Sequence, residues 1–262
     1  MNSGEQEWLD CLASARAWVR EWVEEGVDAY ERPPAKLAPS PAPPPPPSET
    51  ARPAPESVTE PMAPVAAKQP VEPLTSPMTL EAIREELGDC QRCDLCAGRQ
   101  NIVFGDGNPQ ADILFIGEGP GQQEDEQGRP FVGRAGGLLT QMIEKGMGIS
   151  RSEVYICNIV KCRPPNNRNP LPQEASTCRP FLDQQIDAVQ PKVIVTLGKP
   201  AASLLLDREV AITRLRGTWQ EYRGIAMMPT LHPAYVLRQY TAENRRAVWE
   251  DLQAALARAR GE

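Results

Sequence analysis

One histidine, His232, stands in 262 residues, so any chemistry that needs an imidazole has a single place to occur. No apolar run approaches the roughly 20 residues that a membrane helix requires. The first residues are acidic where a secretory signal would be basic. Neither a membrane protein nor a secreted one is expected, and the cytoplasm is the default location. The seven cysteines are an odd number, ill suited to a disulfide framework. In a reducing compartment such a set reads more naturally as metal ligation.

Aromatic residues and large aliphatics are scarce where proline is abundant. Sixteen of the 28 prolines fall between Pro33 and Pro77, five of them consecutive from Pro43 to Pro47, and the stretch holds no aromatic side chain. Such a segment buries too little apolar surface to offset the entropy of ordering. Residues 31–77 are therefore expected to be a disordered, partly polyproline-II linker. Before it, Trp8, Leu12, Ala15, Val19 and Trp22 recur at helical spacing behind a Ser3-x-x-Gln6 capping box. An amphipathic helix within residues 1–30 has no neighbour against which to bury that stripe. It is expected to dock on a protein partner, on a second copy of itself, or on its own catalytic domain.

The net charge of −7 is concentrated at the N-terminus, where residues 1–30 hold seven acidic and two basic side chains. From Met78 onward the count is 23 acidic and 22 basic, so nucleic acid is neither demanded nor forbidden. The 185 residues from 78 to 262 suffice for one α/β domain. Helical patterns near Leu80 to Leu87, Gly137 to Lys145, Gln173 to Val189, Pro200 to Leu206 and Ala242 to Ala257 alternate with strands Asp112 to Gly117, Val154 to Val160, Val193 to Leu197 and Ile225 to Pro229. Val- and Ile-rich strands separated by helices predict a mostly parallel four-stranded sheet covered on both faces, a three-layer α/β/α arrangement. Ligands bind such sheets at the carboxyl ends of the strands.

Three loops at those ends stand out. Gly117-Glu118-Gly119-Pro120-Gly121 follows the first strand and lets backbone N–H groups approach a ligand, although it lacks the Lys-Ser/Thr ending of a phosphate loop. Asn158 ends the second strand and leads into Lys161-Cys162-Arg163-Pro164-Pro165; taken alone, it is an ordinary turn former. His232-Pro233-Ala234-Tyr235 follows the last strand, and a solitary histidine is more often structural than catalytic.

Together with Gly128-Arg-Pro-Phe-Val-Gly133, these segments in this order resemble the motifs of the family-four uracil-DNA glycosylases, the thermostable, iron–sulfur type of bacteria. The resemblance runs from Met78 to about Leu256. It implies excision of uracil from DNA, single- or double-stranded, by base flipping, to leave an abasic site. Uracil departs as an anion, so a donor is needed at its O2, and the resemblance gives that role to His232. Asn158 would read the base, accepting from N3–H and donating to O4, where cytosine presents the opposite polarity. Phe131 would stack on the flipped base. Thymine would be refused through Glu124. Where a wider branch of the superfamily places a water-positioning Asp, this chain has Gly119, so leaving-group stabilisation is expected to dominate, with Glu118, Glu124 or Asn167 orienting water. Lys161, Arg163, Pro164 and Arg238 are the expected DNA contacts, and Leu237 a wedge into the vacated stack.

Cys90-x-x-Cys93 with Cys162 and Cys178 makes a four-thiolate site. Spacing alone leaves zinc and an iron–sulfur cluster open; the resemblance implies a structural [4Fe–4S] cluster, with zinc the less favoured occupant. Cys96 is a spare thiol, and Cys157 and Cys11 are packing residues. A reading of another class stays open, a DNA-binding redox sensor or electron-transfer protein with a vestigial base pocket. A branch that captures uracil covalently through a histidine in an extra loop fits less well, because no such loop is present.

Overall fold

A computed structural model describes residues 78–262; the expected N-terminal helix and the proline-rich linker lie outside the described residues. Thr79, whose hydroxyl accepts from the Ala82 N–H, starts helix α1 (Leu80–Leu87), and Gly88 ends it at positive φ. Strand β1 (Asp106–Gly107) and strand β2 (Ile113–Gly117) follow, then helix α2 (Gln122–Gln127) and helix α3 (Arg134–Gln141), which widens into a π turn over Met142–Met147. Next come β3 (Tyr155–Asn158), α4 (Pro172–Val189), β4 (Val193–Leu197), α5 (Lys199–Leu205) and the single turn α6 (Ile212–Leu215). The chain closes with β5 (Gln220–Tyr222), β6 (Ile225–Thr230), α7 (Pro233–Arg238) and α8 (Ala242–Arg260).

The sheet order is β1-β3-β2-β4-β6-β5. The four expected strands form its parallel centre, β3-β2-β4-β6, and two short antiparallel strands extend the edges. Those edge strands are two and three residues long, too short to show an alternation in sequence. All five residues of β2 and all five of β4 are buried, as a doubly covered sheet requires. Leu114, Ile116, Tyr155, Cys157 and Ile194 pack beneath Ile83 and Leu87 of α1, Phe181, Leu182 and Ile186 of α4, and Leu205 of α5. Side chains alternate along a strand, so Phe115, Ile156 and Val195 face the opposite layer, where α8 lies against β2, β4 and β6.

The register places the strand ends side by side: Gly117 is opposite Asn158, and Leu197 is opposite Thr230. The loops that carry the singled-out residues therefore open on one edge of the domain. A buried ion pair braces the last of them. Asp251 of α8 accepts from Arg216 Nε at 2.9 Å and from the Thr230 hydroxyl at 2.6 Å, which ties the end of β6, two residues before His232, to the covering helix.

Candidate active site and cysteine site

His232 is the N-cap of α7, and its Nδ1 accepts the N–H of Ala234 at 3.1 Å. An imidazole nitrogen that accepts carries no proton, so in the neutral ring the proton is on Nε2, which is left to donate outward. Burial, reinforced by the nearby Arg238, lowers its pKa to about 4, against a partial offset from Glu124. Neutral His232 is therefore the resting form at physiological pH. Gly198, at the end of β4 with φ +89°, passes so close that a Cβ there would lie 2.9 Å from the His232 Cβ. The approach of β4 to the histidine thus requires glycine on both counts.

Asn158 is 1 % exposed, and its Oδ1 is buried without a hydrogen-bond partner. An orphaned buried acceptor of this kind costs about 1–3 kcal/mol, so it marks a place where a ligand donor belongs. Its neighbour across the sheet, Gly117, allows this placement. A Cβ on Gly117 would collide with Asn158 Oδ1 and with the Phe131 ring. Phe131 and Asn158 thus meet over the bare backbone of Gly117. The Phe131 ring centroid is 5.8 Å from that of His232, tilted by 35°. Amide and imidazole thus both lie beside the Phe131 ring at the strand ends.

Phe131 adopts a left-handed backbone (φ +52°), a strained state for a bulky residue. Glu124 helps hold it there. Its Oε1 accepts from the Val132 and Gly133 N–H groups at 2.9 and 2.8 Å, and its Oε2 accepts from Gly121 N–H at 3.1 Å. The Glu124 carboxylate is committed to joining the loop after β2 to the loop that carries Phe131. Its place is beside Phe131, where it sets the shape of the loop. Glu118 is half-buried, its Oε1 has no partner, and burial raises its pKa. Gly119 packs against the second loop, where a Cβ would come within 2.9 Å of Val160 Cγ2 and 3.7 Å of Pro164 Cδ.

The expected DNA contacts separate into two groups. Arg238 is exposed at the end of α7, and Arg163 is half-exposed, its Nε donating to Asn167 Oδ1 at 2.8 Å. Both can reach a phosphate. Lys161 and Pro164 correct the reading from sequence. Lys161 is 1 % exposed, and its Nζ donates to the Asn158 carbonyl at 2.6 Å, so it faces inward. Pro164 is buried against Gly119, so it braces the loop from within. A basic residue in a loop motif looks solvent-directed in sequence because nothing local reports burial. Leu237 is half-exposed on α7, and the flanking Tyr235 and Tyr240 are exposed.

Cys90, Cys93, Cys162 and Cys178 sit at the margin of the core under α1 and α4. Cys178 feels Cys93 and Cys90, Cys93 feels Cys90, and Cys162 feels Cys178 and Cys93. Each of the four sulfurs has a donor aimed at it. Arg92 reaches Cys90 Sγ and Arg99 reaches Cys162 Sγ, both at 3.3 Å, while the Leu95 and Lys161 backbone N–H groups serve Cys93 and Cys178. Burial, partly offset by Arg99, pushes the Cys162 thiol up to about 11, and burial is the main cause that raises those of Cys93 and Cys178. One buried and three half-buried sulfurs, each with its own donor, suit thiolates bound to a positively charged inorganic centre. Among the described residues, no group of three or more His, Cys, Asp and Glu side chains is gathered around a single ion position. Cys96 neighbours Cys93, and Cys157 is fully buried in β3.

Sequence reasoning missed Gly198, Arg92 and Arg99. Arg92 lies inside the Cys90-x-x-Cys93 turn, a position that signals proximity to the sulfurs, whereas nothing in sequence points Arg99 or Gly198 at its partner.

Residues 104–253 match the family model described as the uracil DNA glycosylase superfamily. The chain is 48 % identical over 178 residues to the type-4 uracil-DNA glycosylase of Thermotoga maritima, which covers 67 % of this chain and 92 % of that protein. It is 45 % identical to the Sulfurisphaera tokodaii enzyme of the same name, over 67 % of this chain and 82 % of that one. The corresponding figures for the Archaeoglobus fulgidus type-4 enzyme are 44 %, 61 % and 83 %.

Proposed function

From a chain that belongs to the type-4 uracil-DNA glycosylases, and from the geometry at the strand ends, we propose that it hydrolyses the N-glycosidic bond of uracil in DNA. The observation that carries the reading is the buried, unpartnered Oδ1 of Asn158 beside the Phe131 ring and the His232 donor. Uracil turned out of the helix stacks on Phe131, which offsets the loss of base stacking. Its N3–H satisfies Asn158 Oδ1, and its O4 accepts from the Asn158 amide. Cytosine presents no proton at N3 and a donor at position 4, so both contacts turn repulsive.

As the glycosidic bond lengthens, negative charge grows on uracil O2. The Nε2–H of neutral His232 is set to meet it; the low pKa keeps the ring neutral, and a neutral imidazole is too weak an acid to surrender that proton, so it acts as a hydrogen-bond donor. The sugar becomes cationic, and water adds at its anomeric carbon. Glu118, with one free buried oxygen, orients that water. Thymine is refused by the wall of the Phe131 loop, whose shape Glu124 fixes through three backbone amides. Arg163 and Arg238 hold phosphates on either side of the extruded nucleotide, and Leu237 enters the gap.

Cys90, Cys93, Cys162 and Cys178 would hold a [4Fe–4S] cluster, which supplies a rigid cross-link between the segment after α1, the loop after β3 and α4. The N-terminal 30 residues act as a docking module on the linker of residues 31–77. Replacing His232 by Leu removes the donor and lowers the single-turnover excision rate by roughly a hundredfold or more. An excision rate within a few-fold of the parent would remove His232 from the mechanism.

A further inference from the structure

Lys161 is fully buried, yet the bond-breaking chemistry leaves it without a task. Its surroundings supply one. The side-chain Nζ donates to the Asn158 carbonyl at 2.6 Å, and its own backbone carbonyl accepts from Val103 N–H at 2.8 Å. Its backbone N–H is directed at the Cys178 sulfur, and the next residue is Cys162. The ammonium group also acts electrostatically on Cys157 and Cys178. One residue therefore touches both the backbone of the base-reading Asn158 and the cysteine site.

A buried ammonium is costly unless opposite charge and hydrogen bonds surround it. The four thiolates and the inorganic centre that they suit carry net negative charge, and Arg92 and Arg99 donate to Cys90 and Cys162. Lys161 is thus a third cation beside the cysteine site. Its reach across to Asn158 has a second effect. Asn158 is the last residue of β3, where its carbonyl leaves the regular ladder of the sheet. Clamping that carbonyl fixes the φ/ψ of the residue whose side chain must meet uracil with both amide atoms at once.

We propose that Lys161 is a positioning residue for uracil recognition, a buried cation that ties the Asn158 backbone to the cysteine site and so makes base reading depend on the integrity of that site. The proposal rests on the glycosylase reading of the same cavity. It takes Lys161 out of DNA binding and gives it a role that DNA affinity does not report.

The test compares Lys161→Met, which keeps bulk without a donor, with Lys161→Arg, which keeps the cation and its donors. Each is purified anaerobically with its metal and assayed on a uracil-containing oligonucleotide. Loss of a charge-assisted hydrogen bond lowers kcat in Lys161→Met by about tenfold to a hundredfold. KM for DNA stays unchanged, and inhibition by free uracil weakens in parallel. Lys161→Arg recovers part of kcat and of uracil inhibition. Wild-type kcat and wild-type uracil inhibition in folded, metallated Lys161→Met would overturn the proposal, as would a rise in KM alone, which would return Lys161 to DNA binding. If Lys161→Met does not fold, the wild-type protein labelled with 15N-lysine carries the test. Among six lysines, the Lys161 amino resonance is protected from solvent exchange and shifts when uracil is added. A resonance indifferent to uracil would overturn the proposal. A wild-type protein that excises no uracil contradicts the glycosylase reading itself, a result distinct from either.

Discussion

Burial keeps His232 neutral, and a single backbone N–H sets its tautomer. Because Ala234 donates to Nδ1, the ring has one way to be neutral and one direction in which to donate. This makes an unusually clean spectroscopic prediction, since the chain has no other histidine. In tag-free protein, the 15N imidazole spectrum shows the Nε2–H tautomer at neutral pH and remains unchanged through the ordinary imidazole range, titrating only near pH 4. The sign for stability follows. The folded pKa lies below the unfolded value of about 6.5, so the unfolded chain takes up the proton first. The stabilising contribution of neutral His232 is complete above the unfolded pKa and is lost as pH falls from there toward about 4. A resonance that titrates near 6.5 would contradict the buried, neutral donor. The motif singled out the imidazole, but the tautomer was not legible, because it depends on where α7 begins.

At the scale of elements, the four parallel strands and the long helices could be read from apolar period, since Val193–Leu197 is buried on both faces and Leu80–Leu87 on one. The short elements could not. Helix α2 has six polar residues and no apolar stripe, yet it holds Glu124, whose carboxylate ties two loops together. The resemblance singled out Glu124, whereas its three amide partners come from positions 121, 132 and 133 and appear only once the loops are folded. Replacing Glu124 by Ala leaves three amides to water and frees Phe131 from its left-handed backbone. Excision of uracil falls by about tenfold or more, on the scale of a lost charge-assisted network. Discrimination against thymine falls with it in a competition assay on paired substrates. Retention of both rate and discrimination would show that the loop holds its shape without Glu124. Lys161 gives the same lesson in reverse, since its motif suggested a phosphate while the fold turned it toward Asn158.

On the scale of the whole molecule, the cysteine site and the base cavity share the loop from Asn158 to Cys162, which leaves β3 at one end and enters the sulfurs at the other. The spacing of the cysteines suggested a set of four; the donors that serve their sulfurs come from Arg92, Leu95, Arg99 and Lys161, a set assembled only by folding. Protein purified without oxygen is expected to absorb in the visible and to contain about four irons per chain, as a [4Fe–4S] cluster requires. Stripping the metal with an oxidant and chelator abolishes the visible band and lowers the thermal midpoint, because the tie between the two loops and α4 is cut. A colourless, zinc-bound chain of equal activity would overturn the cluster while leaving the cavity intact. The central claim concerns the cavity, and the direct measurement is single-turnover formation of abasic sites in oligonucleotides that differ at one position. The account predicts cleavage at uracil, with cytosine and thymine left intact and the uracil activity lost in Asn158→Ala. Folded, metallated wild-type protein that releases no uracil would contradict it.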